Sequence, residues 1–200
     1  MPRSEARDFG LPKTDAALLV LDMFSDFEFP DGRAVLGAAR RIVPNILRLR
    51  ARARAAGAAV IYVNDNIGPW RSDFRSLLAK CTAPGARGAD VAHALAPAEN
   101  DTVILKPRHS GFYATPLGAL LEQAEVRRVV LAGLSTQQCI LFTANDAYIR
   151  HLEIAVPRDC VAAASKPEHR LALTYLSSVL GADVRDSRRL RWPRSPRSGH

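Results

Sequence analysis

Three side chains in this sequence have the chemistry and the placement to work together: Asp22, Lys106 and Cys139. Cys139 sits in VVLAGLSTQQCILFTANDAYIR, residues 129–150. Val129 to Ala132 is a short apolar run that reads as a buried parallel strand. Gly133 lets the chain turn, and Thr136 predicts a helix N-cap. Cys139 then falls in the first helical turn, where peptide dipoles favour negative charge and hence thiolate, the nucleophilic form. On this stretch alone a small buried core cysteine fits equally well. Asp22 and Lys106 change that balance. Each follows an apolar run, AALLVL and TVIL, so each is expected at a strand end. A lysine there stands out, because the basic residues are nearly all arginine and the lysines are only Lys13, Lys80, Lys106 and Lys166. An ammonium lowers a thiol's pKa, and a carboxylate can take its proton and return it to a leaving amine. With backbone N–H groups around Ser135 and Cys139 receiving a developing oxyanion, the set is suited to acyl transfer through a thioester.

The elements that must position these groups alternate. Strands are expected at Ala16–Leu21, Ala58–Val63, Thr102–Leu105, Val129–Ala132 and Glu153–Val156, with a last edge strand at Ala182–Arg185. Helices are expected at Gly37–Ala56, Trp70–Lys80, Thr115–Ala124, after Cys139, and at Lys166–Leu180; Cys81–Asn100 reads as loop. The strands are apolar throughout, which predicts an α/β fold whose parallel sheet carries helices on both faces. In such sheets ligands bind beyond the carboxyl ends of the strands, where Asp22, Lys106 and Cys139 would lie.

Two hundred residues suit one domain, 48% hydrophobic and 24% charged, with no apolar run long enough to span a membrane and no secretory leader. The cysteines Cys81, Cys139 and Cys160 suggest neither a disulfide framework nor a zinc site, and fit a reducing cytoplasm. The net charge is +8, concentrated near the end: Arg185, Arg188, Arg189, Arg191, Arg194 and Arg197 stand against Asp186. Residues 186–200 are therefore expected to be a basic tail following a domain of residues 1–185. No groove-reading motif accompanies that charge, so no nucleic-acid role is expected, although an interaction module using the tail is a reading of another class.

The stretches LLVLDMFSDF, LKPRHSGFYATPL and LAGLSTQQCILFTANDAY resemble the three sequence blocks of the isochorismatase-like cysteine hydrolase superfamily, which includes nicotinamidases and N-carbamoylsarcosine amidases. The resemblance runs from about Ala16 to Leu180. It implies a Rossmann-like three-layer α/β/α sandwich with a central, mainly parallel sheet of about six strands. It also implies a catalytic triad of Asp22, Lys106 and Cys139, a non-proline cis peptide at Leu134–Ser135 that aims the Ser135 N–H at the oxyanion, and a homo-oligomer, dimer or tetramer. Nicotinamidases in this superfamily carry an Asp-x-His-x-x-His metal site after the second strand. This chain has Asn64, Asp65, Asn66, Ile67, Gly68, Pro69, Trp70 and Arg71 there, so no metal and no other cofactor is expected.

The expected activity is hydrolysis of a small non-peptide amide, ureide or carbamoyl compound. Vinyl-ether hydrolysis of an isochorismate-like compound is the alternative on the same fold, and a thiol sensor at Cys139 a further one. Asn66, Trp70, Arg71, Arg108 and Phe112 are the candidate substrate contacts, an arginine to hold a carboxylate and Trp70 to stack on a planar group. His109 is the one histidine near the proposed site and one reading has it touch substrate; the other is a loop histidine bonded to backbone.

Overall fold

The computed structural model describes residues 10–66 and 73–193. Among these residues six parallel strands, β1 (Ala16–Leu21), β2 (Ala59–Asp65), β3 (Thr102–Lys106), β4 (Arg128–Leu134), β5 (Glu153–Ala155) and β6 (Val161–Ala162), form one sheet. Five run in the order β3-β2-β1-β4-β5, and β6 extends the pairing of β4. Six helices of the described residues flank it: α1 (Gly32–Ala55), α2 (Phe74–Thr82), α3 (Ala89–Leu95), α4 (Leu117–Gln123), α5 (Leu141–Ile149) and α6 (Lys166–Ser178). Between β4 and α5 runs a π-helical turn, Thr136–Ile140.

The apolar strands are explained by burial on both faces. Leu18, Val20, Val60, Tyr62, Val130 and Ala132 pack against α1, α2 and α3. Their neighbours Ala17, Leu19, Leu21, Ile61, Val63, Val129 and Leu131 pack against α4, α5 and α6. With side chains alternating across a strand, a sheet covered by two helical layers needs apolar residues at both parities. The three-layer α/β/α sandwich expected from the sequence is therefore the architecture observed.

Several boundaries differ. α1 starts at Gly32, five residues before the apolar periodicity of its arginine-rich part becomes clear, and carries Pro44 inside it. The stretch read as loop contains α3, where Val91, Ala92 and Leu95 are buried. Ala182–Arg185 forms only one bridge, Ala155 with Asp183, and β6 supplies the sixth strand. Trp70 and Arg71 lie outside the described residues, and the helix expected from Trp70 is described from Phe74.

The boundary placed at 185 also needs correction. A 3₁₀ turn, Ser187–Arg189, and the residues after it pack on α1. Arg52 donates to the carbonyls of Ser187 and Leu190, each at 2.5 Å. Ser187 N and Oγ each donate to the Asp159 carboxylate at 2.7 Å. Leu190 is 2% exposed, so the arginine-rich composition hid an apolar anchor. Residues 194–200 lie outside the described residues. Among the described residues no helix is long and apolar enough to cross a membrane.

Candidate active site

Parallel register brings the three reactive groups to one edge. Leu21 pairs with Gly133 across β1 and β4, and Asp65 pairs with Lys106 across β2 and β3. Asp22 leaves β1 with φ of 51°, in the left-handed region that Asp tolerates better than most residues. Gly133 has φ of 114° and lies against Leu21; a Cβ there would sit 2.0 Å from the Leu21 carbonyl oxygen. The peptide Leu134–Ser135 is cis, as the resemblance implied.

Lys106 is fully buried. Its Nζ lies 3.0 Å from Asp22 Oδ2 and 3.4 Å from Cys139 Sγ, and it is paired with the Asp65 carboxylate. Asp22 Oδ1 accepts the Asp65 backbone N–H at 2.7 Å, and the Asp22 charge bears on the Cys139 thiol. Asn64, 2% exposed, fastens the two strand ends: its Oδ1 accepts from Phe24 N at 3.0 Å and its Nδ2 donates to Phe24 O at 2.9 Å. Neither Asp65 nor Asn64 was singled out from the sequence. Their position at the end of an apolar strand was the available signal.

Burial dominates the electrostatics. It raises Asp22 to about 6, against the opposing pull of Lys106. Burial also lowers Lys106, but Asp22, Cys139 and Asp65 outweigh it and hold the ammonium above its ordinary value. For Cys139, burial and then the Asp22 charge push the thiol up, and Lys106 opposes them. This corrects the expectation of a resting thiolate. The cysteine is only 5% exposed, and lost hydration outweighs the benefit of starting a helical turn. Thr136 does not cap the turn either: Ser135 occupies that position without a side-chain bond, and Thr136 Oγ1 instead meets His169 Nδ1 at 2.8 Å. At neutral pH the arrangement is a thiol beside a carboxylate. Cys81 and Cys160 are fully buried, pushed up by burial to about 11 and about 12, and read as structural.

A cleft of about 770 Å³ opens over Asp22 and Cys139. Phe24, Phe27 and Phe29 line one side, and Ser135, Gln137 and Gln138 another. Its described lining includes Asp26, Asp31, Asp65 and Glu168, and no lysine or arginine. Asn66, Arg108 and Phe112 are not brought to it. Asn66 N bonds the Lys106 carbonyl at 3.2 Å, and Arg108 is exposed. Phe112 is core, with the Arg150 guanidinium 4.6 Å over its ring. Trp70 and Arg71 fall outside the described residues. Ligand atoms of Asp22, Asp65 and Cys139 lie within 4.8 Å of one another and could face a metal ion together. Both carboxylates, however, already hold the Lys106 ammonium, which would compete with a second cation.

Residues 16–189 match the isochorismatase domain family. The chain belongs to the isochorismatase family. It is 39% identical over 174 residues to an isochorismatase-family protein of Bacillus subtilis described as uncharacterised, covering 87% of this chain and 95% of that one. It is 29% identical over 158 residues to the ureidoacrylate amidohydrolase RutB of Klebsiella pneumoniae, covering 66% and 67% of the two chains. The structure of N-carbamoylsarcosine amidase from Thermoplasma acidophilum superposes with a TM-score of 0.68 at 31% identity, covering 89% of this chain and 99% of that one. This isochorismatase-family hydrolase thus has amidohydrolases among its relatives.

Proposed function

We propose that this isochorismatase-family hydrolase cleaves a small non-peptide amide, ureide or carbamoyl compound through a thioester acyl-enzyme, without a metal. The observation that carries this reading is the convergence of Asp22, Lys106 and Cys139, with Asp22 and Cys139 lining one cleft and Lys106 buried against them. In the proposed sequence the Asp22 carboxylate takes the Cys139 proton as sulfur attacks the carbonyl carbon. The Ser135 and Cys139 backbone N–H groups receive the oxyanion. Asp22 then returns the proton to the departing nitrogen, and the C–N bond breaks. A water, deprotonated by Asp22, attacks the thioester; the acid product leaves and the thiol is restored. Lys106 orients Asp22 and offsets negative charge on sulfur and carboxylate in both halves.

The nitrogen-cleaving names of RutB and N-carbamoylsarcosine amidase support this bond type. The carboxylate-rich described lining favours a neutral or cationic substrate over one bearing a carboxylate. Trp70 and Arg71 stay as proposed contacts, Arg71 now toward a neutral carbonyl instead of a carboxylate, joined by the lining residues Phe27, Phe29 and Gln137. Exposed Phe142, Tyr148, Ile149 and Leu171 support a homo-oligomer that would cover them, and three unpaired cysteines support a reducing, cytoplasmic setting.

The test is ammonia release from a panel of N-carbamoyl compounds, ureides and primary amides by the wild type and Cys139→Ala. The expected outcome is a loss of roughly 10³-fold or more in kcat for any substrate turned over, with a wild-type acyl adduct trapped on Cys139 by acid quench and mass mapping. Undiminished ammonia release by Cys139→Ala would overturn the thioester reading, and hydrolysis of an isochorismate-like vinyl ether retained by Cys139→Ala, with no compound of the panel turned over, would favour the vinyl-ether reading.

A further inference from the structure

His109 lies outside the Asp–Lys–Cys set, yet its Nδ1 is 3.8 Å from Cys139 Sγ, within reach of the long hydrogen bonds that sulfur makes. Its ring sits beside Phe142, centroids 5.5 Å apart, one turn beyond the cysteine. The segment that presents it is fastened to α5. Gly111 N donates to Thr143 Oγ1 at 2.9 Å, Ser110 Oγ is bonded to the Asp146 carboxylate, and Phe112 N donates to Ser110 Oγ at 3.2 Å. Thr115 Oγ1 closes the loop on the Gly111 carbonyl at 2.5 Å. None of these bonds uses the imidazole. They hold the backbone immediately after it, while the ring itself stays exposed at the sulfur.

The sulfur needs such a donor. Lys106 is divided among the Asp22 carboxylate, the Asp65 carboxylate and Sγ. When Asp22 takes the thiol proton, the charge moves to a sulfur buried in an apolar surround, with Phe112 and Ile140 in the same cluster. A hydrogen bond to a charged acceptor there is stronger than a neutral one.

We propose that His109 is a fourth residue of the reacting centre, donating its Nδ1–H to Cys139 Sγ and stabilising the thiolate as it forms and again as it departs. The inference rests on the thioester reading for its catalytic meaning. In acylation the proton goes from Sγ to Asp22 and on to the leaving nitrogen. In deacylation the C–S bond breaks and the electron pair returns to sulfur. His109 keeps its N–H throughout.

Iodoacetamide alkylation of Cys139 in the full chain at pH 7.5, followed by peptide mass mapping, tests this without a substrate. His109→Ala is expected to slow it about tenfold, with the melting temperature unchanged and part of the rate restored by added imidazole. An unchanged rate, or a slowed rate that imidazole does not recover, would overturn the proposal. Nitrogen-15 NMR of the imidazoles gives a second reading. Neutral His109 is expected as the Nδ1–H tautomer, with its resonances moved in Cys139→Ala; an Nε2–H tautomer indifferent to that change would also overturn it. Hydrolysis retained by Cys139→Ala, in contrast, would defeat the thioester reading and leave the His109–sulfur bond standing.

Discussion

Asp22 is the side chain whose titration governs the site. With its carboxyl held at about 6, the base form that the proposed mechanism requires to accept the Cys139 proton is present above that pH and absent below it. The acid limb of kcat/KM is therefore expected near pH 6, read from a rate profile on any substrate found. Lys106 is the charge that keeps Asp22 from rising further, so Lys106→Met should move that limb upward by about 1–3 pH units. Stability follows with a definite sign. A carboxyl held above its unfolded value of about 4 favours the protonated folded state, so its contribution is present below that value and fades as pH rises through the folded one. In Lys106→Met that upward shift should cost about 1–3 kcal/mol at pH 8, where the wild-type carboxylate is ionised, and much less at pH 5, where it is protonated. Thermal unfolding at pH 8 and pH 5 checks this; equal losses at both would show that Lys106 does not compensate Asp22. The trio was legible in the sequence because each member follows an apolar run. The protonation state was not, since helix position predicts a thiolate and only the packed structure reveals how completely the sulfur is buried. Asp65 pairs with Lys106 through strand register, which no local spacing encodes.

At the scale of elements, continuous apolar runs made the sheet readable, because strands covered on both faces have little polar sequence to obscure them. Short pieces were not readable. β6 has two residues, and α3 has about two amphipathic turns in a stretch rich in Pro and Gly. The π-helical turn that carries Cys139 has the composition of an ordinary helix start, so periodicity places the cysteine in a turn but not in this geometry. Gly133 shows how closely the elements hold the site. A side chain there meets the Leu21 carbonyl at 2.0 Å, one residue before Asp22, and its φ of 114° is costly for any other residue. Gly133→Ala should cost on the order of 3–5 kcal/mol and abolish activity by separating Asp22 from Cys139. Gly181 offers the control: its φ is 64° and a Cβ added there would meet nothing within 4 Å, so Gly181→Ala should cost about 1 kcal/mol and spare activity. Urea midpoints with parallel activity measurements separate the two, and similar losses would mean that backbone conformation alone, not the β1–β4 approach, makes glycine necessary.

For the whole molecule, the question left by a +8 chain is what its arginines do. Composition alone suggested a solvated basic tail after residue 185, but charge counts do not register the apolar residues interleaved with the arginines. Leu190 and Trp192 pack on the α1 side of the core, and Arg52 reaches out from α1 to cap two carbonyls of the same segment. This segment closes the layer that backs β1 and β4, which in turn hold Asp22 and the cysteine turn. Burying Leu190 and part of Trp192 is worth about 3–4 kcal/mol, and at about 2–4 °C per kcal/mol for a chain of this size its loss should be visible in a melt. Ending the chain after Arg185 is therefore expected to lower the melting temperature by about 6–16 °C, whereas ending it after Pro193 should leave the temperature within a degree or two. Leu190→Ala in the full chain should reproduce part of the first effect with every arginine retained, which assigns it to packing rather than charge. If the chain ended at Arg185 melted like the full chain and had lost only salt-sensitive binding to a polyanion, residues 186–193 would be acting through their charge, and the basic-module reading would replace the packing one.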